Sequence, residues 1–241
     1  SSITYEYLSC AVQRTAHVAD WVQWGEGRDA LVLGVHKAVA VGLDPSEPAA
    51  RAPAVHMWPL PCQETVHVLK AWQDDDPRIV VGTYEGGLEL WRVHGDELCC
   101  DASMPGAHAA AITAVGVPRD AYTREHSPRE FVTGGSDSKL RVWSCDPLRV
   151  VQTVDLEGAF PLDVALVSLP QTDAMVMAVA ATDRRISLYV RGGGSGAYVR
   201  QLRLAGHEDW VRALDFTVAL PDVWLASASV SYTHLRAHET R

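Results

Sequence analysis

Four residues between positions 108 and 143 have the side-chain types of a proton relay. They are His108, Thr133, Asp137 and Trp143. A histidine placed between a carboxylate and a hydroxyl can activate that hydroxyl as a nucleophile, so one interpretation is catalysis. In the other interpretation the set is structural: the buried carboxylate accepts a hydrogen bond from the histidine, which is linked through the threonine to the indole N–H. Parts of this spacing recur along the chain, and this favours the structural interpretation.

Other catalytic or metal-binding patterns are missing from the sequence. It contains no HExxH, GxSxG, Walker or GxGxxG motif. Its ten histidines are scattered, with no i, i+4 pair on a predicted helix, and the Cys99-Cys100 pair has no second Cys or His pair at zinc spacing. The sequence therefore predicts a protein that is not an enzyme and that binds neither a metal nor a cofactor.

A second candidate set, Gly206, His207, Asp209 and Trp210, shows the recurrence. His207 is followed at offsets four, seven and nine by apolar residues, and His108 has the same pattern: Val211, Leu214 and Phe216 against Ile112, Val115 and Val117. An acidic residue stands six positions before an aromatic residue three times, as Glu85–Trp91, Asp137–Trp143 and Asp183–Tyr189. The aromatic residues are 52 and 46 positions apart. A Gly-His start, a turn aspartate and a Trp-ended strand at this period are typical of WD40 repeats.

The segments between these motifs are short runs rich in Val, Leu and Ile, separated by Gly, Asp, Ser or Pro turns. Five repeat units fit, the first at about 5–44, the third at about 98–145 and the fifth from about 198. A blade cannot bury its faces alone, so such units must stack on one another. We therefore predict an all-β fold, an incomplete WD40 β-propeller of about four to five blades over residues 1–229.

The last residues depart from the repeat. After Ser229 a turn aspartate and a Trp-ended strand are due, but the chain continues as Val-Ser-Tyr-Thr-His-Leu-Arg-Ala-His-Glu-Thr-Arg. This tail resembles a translated sequencing-adapter read-through. We predict that residues 230–241 are not native sequence and that the natural protein continues beyond position 229.

Composition narrows the class of partner and the compartment. The net charge is −9, and no run of Lys or Arg exceeds two residues, which argues against direct nucleic-acid binding. Five cysteines without a regular framework suggest reduced thiols. Ser1 to Cys10 lack the features of a secretory signal, and no apolar run is long enough to span a bilayer. We predict a cytoplasmic protein, with the nucleus as a second compartment, that does not associate with membranes.

Three tryptophans fit no repeat position: Trp58, Trp72 and Trp224. Each can be a core residue or an anchor at an interface with a partner. Because most tryptophans in folded proteins are largely buried, the core interpretation is favoured.

The stretch Leu-Ala-Gly-His-Glu-Asp-Trp-Val-Arg at 204–212, followed by Leu-Ala-Ser-Ala-Ser at 225–229, resembles the Elongator complex protein 2 family. The similarity extends in one collinear register over residues 5–229, through 168–173, 132–137 and 18–24. Proteins of that family are built of two seven-bladed propellers, so the resemblance implies that this chain begins the first one. The Pro-rich connector at 45–61 departs from the family pattern.

The resemblance also implies a function. The family is a non-catalytic scaffold of Elongator, which modifies wobble uridines of transfer RNA. The implied partners are other Elongator subunits, namely the largest scaffold subunit and the catalytic subunit. Two alternatives stay open. One is another cytosolic WD40 adaptor, such as a substrate receptor of a ubiquitin ligase. The other is a propeller enzyme with an active site in its central channel, although the sequence offers no cluster of charged or metal-binding residues for it.

Overall fold

The computed structural model describes residues 16–24, 28–43, 55–72, 77–95, 97–119, 130–169, 172, 174–193, 196–219, 222–230 and 235–240. These residues form twenty β-strands and no helix, which confirms the predicted all-β fold. Within the described part of the chain, no helix exists that could cross a membrane.

The strands form five sheets that follow one another along the chain. The first contains β1 (Ala16–Trp24), β2 (Arg28–Val35), β3 (Ala38–Leu43) and β4 (Val55–Pro59). The second contains β5 (Val66–Trp72), β6 (Arg78–Thr83), β7 (Leu88–His94) and β8 (Glu97–Met104). The third contains β9 (Ile112–Gly116), β11 (Glu130–Gly135), β12 (Lys139–Cys145) and β13 (Leu148–Asp155).

The fourth sheet contains β14 (Pro161–Ser168), β15 (Met175–Ala181), β16 (Ile186–Arg191) and β17 (Val199–Leu204). The fifth contains β18 (Val211–Ala219), β19 (Asp222–Ser229) and β20 (Leu235–Thr240). Each sheet is an antiparallel meander. The exception is the short β10 (Pro118–Arg119), which leaves the third sheet and pairs in parallel with β14.

The first strand of each sheet packs against the first strand of the next, in the order β1, β5, β9, β14 and β18. A hydrogen bond joins each successive pair of sheets near these strands. Asp20 Oδ2 accepts from the Ala71 N–H at 2.9 Å, and His67 Nδ1 donates to the Ile112 carbonyl at 2.8 Å. Thr113 Oγ1 donates to the Pro161 carbonyl at 2.6 Å, and Asp163 Oδ2 accepts from the Leu214 N–H at 2.7 Å. The sheets are therefore five blades of an incomplete WD40 β-propeller, as the repeat pattern predicts.

The hydrophobic core lies between the blades rather than within them. Four buried clusters each join two neighbouring blades, as Val32 with Leu69, Val80 with Trp143, Val142 with Leu166, and Leu188 with Phe216 show. Trp21, on the face of blade 1 that points away from blade 2, is 64 % exposed. Stacking is thus the main source of apolar burial, because blades 2, 3 and 4 each supply half of two interfaces.

Glycine on the second strand of a blade permits this stacking. Gly34, Gly82 and Gly134 hold equivalent positions, opposite Val18, Val68 and Ala114 of their own first strands. A Cβ added at each would approach a side chain of the next blade: 2.5 Å from Val66, 2.7 Å from Ile112 and 2.6 Å from Pro161. These distances are shorter than real Cβ contacts, so the blades could not approach so closely with any larger residue.

The blade boundaries differ from those of the sequence repeat. The predicted third unit begins near Leu98, but the structure places that residue on β8, the outer strand of blade 2. The sequence motif is therefore shifted by one strand from the structural blade. Of the Pro-rich connector, Val55–Pro59 forms β4, whereas 45–54 lie outside the described residues.

The tail that the sequence analysis set aside also contributes a strand. Leu235–Thr240 pairs with β19, from Val223 opposite Thr240 to Ala228 opposite Leu235. The non-native origin of residues 230–241 stays a prediction, because many sequences can supply a third strand to a sheet whose second strand is already in place.

Replacing Gly82 by valine should lower the free energy of unfolding by about 1–3 kcal/mol, because the new side chain overpacks the contact with Ile112. At about 2–4 °C per kcal/mol, the fall in Tm is measurable by calorimetry. The control is Gly192→Ala, because a Cβ there would meet no atom within 4 Å. Equal Tm values for Gly82→Val and the wild type would contradict this account of the blade interface.

Candidate functional site

The structure brings His108, Thr133, Asp137 and Trp143 together at one end of blade 3. His108 precedes β9, Thr133 lies on β11, Asp137 is in the β11–β12 turn, and Trp143 is on β12. The Trp143 indole N–H donates to Thr133 Oγ1 at 2.8 Å. Thr133 Oγ1 lies 2.7 Å from His108 Nε2, and His108 Nδ1 lies 2.9 Å from Asp137 Oδ1. The four side chains form one continuous hydrogen-bonded chain.

The chemistry of the partners fixes the protons in this chain. A carboxylate can only accept a hydrogen bond, so His108 is protonated on Nδ1 and donates from there to Asp137. His108 Nε2 then accepts from the Thr133 hydroxyl, whose oxygen accepts from Trp143. Burial lowers the pKa of His108, and the charges of Arg141 and Lys139 add to this effect, while Asp137 opposes it. With His108 neutral, each hydrogen bond that links the four side chains therefore has one donor and one acceptor.

Asp137 is held by four donors. Besides His108, Arg141 Nη1 and the Ala109 N–H donate to Oδ2 at 2.9 and 3.2 Å, and the Lys139 N–H donates to Oδ1 at 3.3 Å. Arg141 Nη1 also lies 2.6 Å from His108 Nδ1. Because both nitrogens are donors, they form no hydrogen bond with each other, and the Arg141 N–H donates to the Asp137 carboxylate. Burial alone would raise the pKa of Asp137. The hydrogen bonds from Arg141, His108 and Ala109 outweigh burial and lower the pKa to about 2.

This arrangement is poorly suited to nucleophilic catalysis. Thr133 is fully buried and His108 is 1 % exposed, so no substrate can reach the hydroxyl without opening the blade. The hydroxyl proton is directed to His108, and its oxygen is occupied by the indole of Trp143. Instead, the hydrogen bonds from His108 and Ala109 to Asp137 hold the β8–β9 connection against the β11–β12 turn.

Blade 2 uses a different acceptor for its tryptophan. The sequence pattern places Glu85 as the counterpart of Asp137, but Glu85 Oε2 accepts from the Thr65 N–H in a connecting loop. The Trp91 indole donates instead to Glu89 Oε2 at 3.0 Å, and the Cys62 N–H donates to Glu89 Oε1 at 3.1 Å. Glu89 is fully buried and lies opposite Val81, as Arg141 lies opposite Thr133 in blade 3. The signal that sequence reasoning missed is the acidic residue two positions before the tryptophan.

The same carboxylate affects a neighbouring thiol. Burial and the hydrogen bond and charge of Glu89 together raise the pKa of Cys62 to about 12. Cys62 is thus a neutral thiol, and it packs against the core cluster between blades 1 and 2.

Blade 5 contains the Gly206, His207, Asp209 and Trp210 set in the β17–β18 connection. His207 Nε2 lies 2.8 Å from Ser227 Oγ on β19, which repeats the His108–Thr133 contact. Asp209 Oδ1 accepts from the Trp210 N–H at 2.7 Å, and the Trp210 carbonyl accepts from the Val230 N–H. Trp210 is 45 % exposed. The set therefore divides between a buried histidine contact and an exposed aromatic side chain.

The unassigned tryptophans vary in burial. Trp72 is 6 % exposed and belongs to the core between blades 2 and 3, whereas Trp58 and Trp224 are half-buried. Two other tryptophans, Trp21 and Trp210, are exposed. Which side chains of a strand are buried depends on which face of its blade meets a neighbouring blade. The sequence alone therefore did not show that Trp21 and Trp210 are exposed.

A cavity of about 290 Å³ lies where the inner strands converge, and all five blades line it. Its charged residues are Asp20, Lys70, Asp163 and Asp215. Burial raises the pKa of Asp163, although hydrogen bonds from the Leu214 and Val164 N–H groups and the charge of Lys70 oppose the increase. Nowhere in the described ranges do three or more His, Cys, Asp or Glu side chains converge as metal ligands would.

Comparison with curated proteins confirms the resemblance to Elongator complex protein 2. The Danio rerio protein of that name is 28 % identical over 226 residues, which is 92 % of this chain and 26 % of that protein. The Drosophila melanogaster protein is 26 % identical over 233 residues, and the Homo sapiens protein is 28 % identical over 165 residues. The chain spans about a quarter of the length of the Danio rerio and Drosophila melanogaster proteins and 19 % of the Homo sapiens protein. No protein-family model matches the chain.

Solved structures share the fold. A chain in the crystal structure of BBS1N in complex with ARL6DN superposes with a TM-score of 0.67 at 16 % identity, covering 94 % of this chain and 66 % of that chain. A chain in the crystal structure of an active polycomb repressive complex 2 in the basal state gives a TM-score of 0.70 at 14 % identity, covering 96 % and 50 %. At these identities the similarity concerns the fold alone.

The substitution Thr133→Val keeps the side-chain shape but removes the hydroxyl that links Trp143 to His108. Two buried polar groups then lose their partner, so the free energy of unfolding should fall by about 1–3 kcal/mol. His108→Ala and Asp137→Ala should also destabilise the protein. Urea unfolding measures the change, and Thr153→Val on the exposed outer strand β13 is the control. A Thr133→Val variant as stable as Thr153→Val would contradict the hydrogen-bond assignment.

The two pKa shifts predict a loss of stability in acid. Below pH 6.5 the unfolded chain takes up a proton that folded His108 resists, so the free energy of unfolding falls as the pH falls from 6.5. A second loss follows between pH 3.8 and about 2, where the unfolded chain protonates Asp137 before the folded protein does. Urea titrations from pH 7.5 to 4.5 should give a shallower pH dependence for His108→Gln than for the wild type. Parallel curves for the two proteins would contradict the assignment of neutral His108.

Proposed function

We propose that this chain is part of a non-catalytic WD40 scaffold subunit of the Elongator complex. The observation that carries the proposal is the alignment of 92 % of the chain with a protein named Elongator complex protein 2. The six curated matches carry that one name. The chain spans about a fifth to a quarter of the length of these relatives. The activity of the whole protein is therefore proposed by extension from this part.

The architecture suits a scaffold. Five stacked blades hold their connecting loops on a rigid frame, and such loops are where propellers bind partners. We assign the His108–Thr133–Asp137–Trp143 set a structural role, which is to fix one loop and one turn of blade 3. The buried position of the Thr133 hydroxyl supports this role over a catalytic one.

The scaffold would support wobble-uridine modification of transfer RNA without binding the RNA itself. The net charge of −9 disfavours a direct grip on a polyanion, so RNA contact would come from other subunits. The partners are then the largest scaffold subunit and the catalytic subunit of the complex. Their assembly would take place in the cytoplasm, with the nucleus as a second compartment.

Residues 1–229 would form part of the first of two seven-bladed propellers. The five described blades are then followed by further blades of the natural protein, and residues 230–241 are a non-native tail. Sequencing the gene beyond position 229 tests both statements. A turn aspartate and a Trp-ended strand in place of the tail are the expected result.

Removing the protein from its native cells should lower wobble-uridine modification while the catalytic subunit is still produced. Mass spectrometry of transfer-RNA nucleosides measures the modification. Affinity purification of the full-length protein should recover the catalytic and largest scaffold subunits. Re-expression of the full-length protein is the control, and it should restore the modification.

Two results would contradict the proposal. One is full modification in cells without the gene, together with purifications that recover neither subunit. The other is recovery of a ubiquitin-ligase core in place of Elongator subunits, which would favour the substrate-receptor alternative.

A further inference from the structure

We infer that β13, the outer strand of blade 3, binds an extended segment of another subunit, which pairs with it as a fifth strand of the blade. The segment is rich in β-branched residues, with an acidic residue opposite Arg149 and a basic residue opposite Asp155. The inference rests on the proposed function and specifies one contact of the scaffold. It depends on the free edge of β13, on two exposed valines and on the charges near the two ends of the strand.

β13 is the last strand of its sheet. It pairs with β12 on one side, and no strand of the described chain lies beside it on the other. Its outward N–H and C=O groups therefore form an edge to which a further strand can be added. The Gln152 amide fixes this edge to blade 4, because it donates to the Tyr198 carbonyl at 2.9 Å and accepts from the Tyr198 N–H at 2.8 Å. An extended segment would thus meet a rigid template.

The outer strands of blades 2, 3 and 4 share a β-bulge, and the residue at the bulge differs in blade 3. The residue left out of the pairing is Asp101 in β8, Val151 in β13 and Gln201 in β17, and all three are exposed. A charged residue at a sheet edge opposes the addition of another strand. Asp101 is charged and Gln201 is polar, whereas Val151 is apolar and 42 % exposed. Blade 3 therefore lacks this protection.

The rest of β13 is also open to a partner strand. Val150 is 41 % exposed, and neither a charged residue nor a proline stands between Arg149 and Asp155. In contrast, β4 ends in Pro59, and β17 has an arginine on each side of its bulge. Of these outer strands, β13 has the uncharged, valine-rich edge that favours strand addition.

Charges near the ends of β13 indicate the chemistry of the segment. Arg149 and Asp155 are both exposed. Opposite charges across two paired strands stabilise the pair, and like charges destabilise it. A segment with a carboxylate opposite Arg149 and a basic group opposite Asp155 is therefore favoured. In an antiparallel pair, the commoner kind, its basic residue precedes its acidic residue.

A partner segment fits this edge better than a second copy of the chain. Eight residues at about 3.4 Å each span about 27 Å. Two propellers that meet along this length alone would bury much less than the about 1,200 Å² of a stable interface. A segment tethered to a subunit that binds elsewhere on the scaffold needs no large area here, because tethering raises its effective concentration.

Hydrogen exchange followed by mass spectrometry tests the inference on the full-length protein, alone and assembled with the other Elongator subunits. The N–H groups of β13 that point away from β12 have no partner strand in the isolated protein, and strand addition would give them acceptors. We expect peptides that cover Leu148–Asp155 to exchange at least about tenfold more slowly in the complex.

Four variants test the edge. Val151→Lys places a charge at the bulge of β13, so it should abolish the slower exchange on assembly. The matched control is Gln201→Lys at the equivalent exposed bulge of β17, which should leave the exchange of β13 unchanged. Arg149→Glu and Asp155→Lys each place like charges across the strand pair, so each should reduce the protection. Thermal melts of every variant establish that it is folded.

Unchanged exchange of Leu148–Asp155 on assembly would overturn the inference. Protection that persists in Val151→Lys, that is unchanged in both charge variants, or that is lost equally in Gln201→Lys would overturn it too. So would protection of the isolated protein that rises with its concentration together with a dimer in analytical ultracentrifugation, because a second copy would then cover the edge.

The purification that supplies the complex tests the proposed function separately. Recovery of Elongator subunits with unchanged exchange of β13 would leave the proposed function standing while the inference fails. Recovery of no Elongator subunit would contradict both.

Discussion

The close approach of neighbouring blades is the constraint on which the rest of the structure depends. A blade carries apolar side chains on both of its faces, so both faces must be covered by neighbouring blades. At Gly34, Gly82 and Gly134 the backbone of one blade comes so near the first strand of the next that no side chain fits between them. Where these contacts hold, the inner strands converge, and the central cavity and its charges follow from that convergence.

The buried tryptophans illustrate how one structural requirement is met by different chemistry. In blade 3 the indole N–H of Trp143 reaches Thr133, and the relay continues through His108 to Asp137. In blade 2 the indole of Trp91 donates directly to the buried carboxylate of Glu89. The requirement common to both is an acceptor for a buried donor, because an unpaired N–H would cost more than either solution. The repeats can therefore diverge in sequence while the blade geometry is retained.

The two kinds of carboxylate in this protein differ in their surroundings. Asp137 is surrounded by donors and a guanidinium group, so its pKa falls, and its charge serves the fold. Asp163 faces the central cavity beside Asp215, and its pKa rises because burial outweighs its backbone hydrogen bonds. The same residue type thus has opposite pKa shifts in the two places, because hydrogen-bond donors dominate at Asp137 whereas burial dominates at Asp163.

The sequence by itself determined the blade type and much of the blade 3 set. Alternating apolar residues, glycine turns and the spacing from Asp137 to Trp143 are local properties, and they depend only on the two-residue period of a strand. The stretch at 204–212 indicated the similarity to Elongator complex protein 2, which the alignment over 92 % of the chain supports. The tertiary structure decided what local periodicity cannot contain. It showed that β8 belongs to blade 2, that Glu89 rather than Glu85 accepts from Trp91, and that Trp21 and Trp210 are exposed while Trp72 is buried. These outcomes depend on which face of a strand meets a neighbouring blade. That neighbour is distant along the chain: Ala71 lies 51 residues from Asp20, and Leu214 lies 51 residues from Asp163.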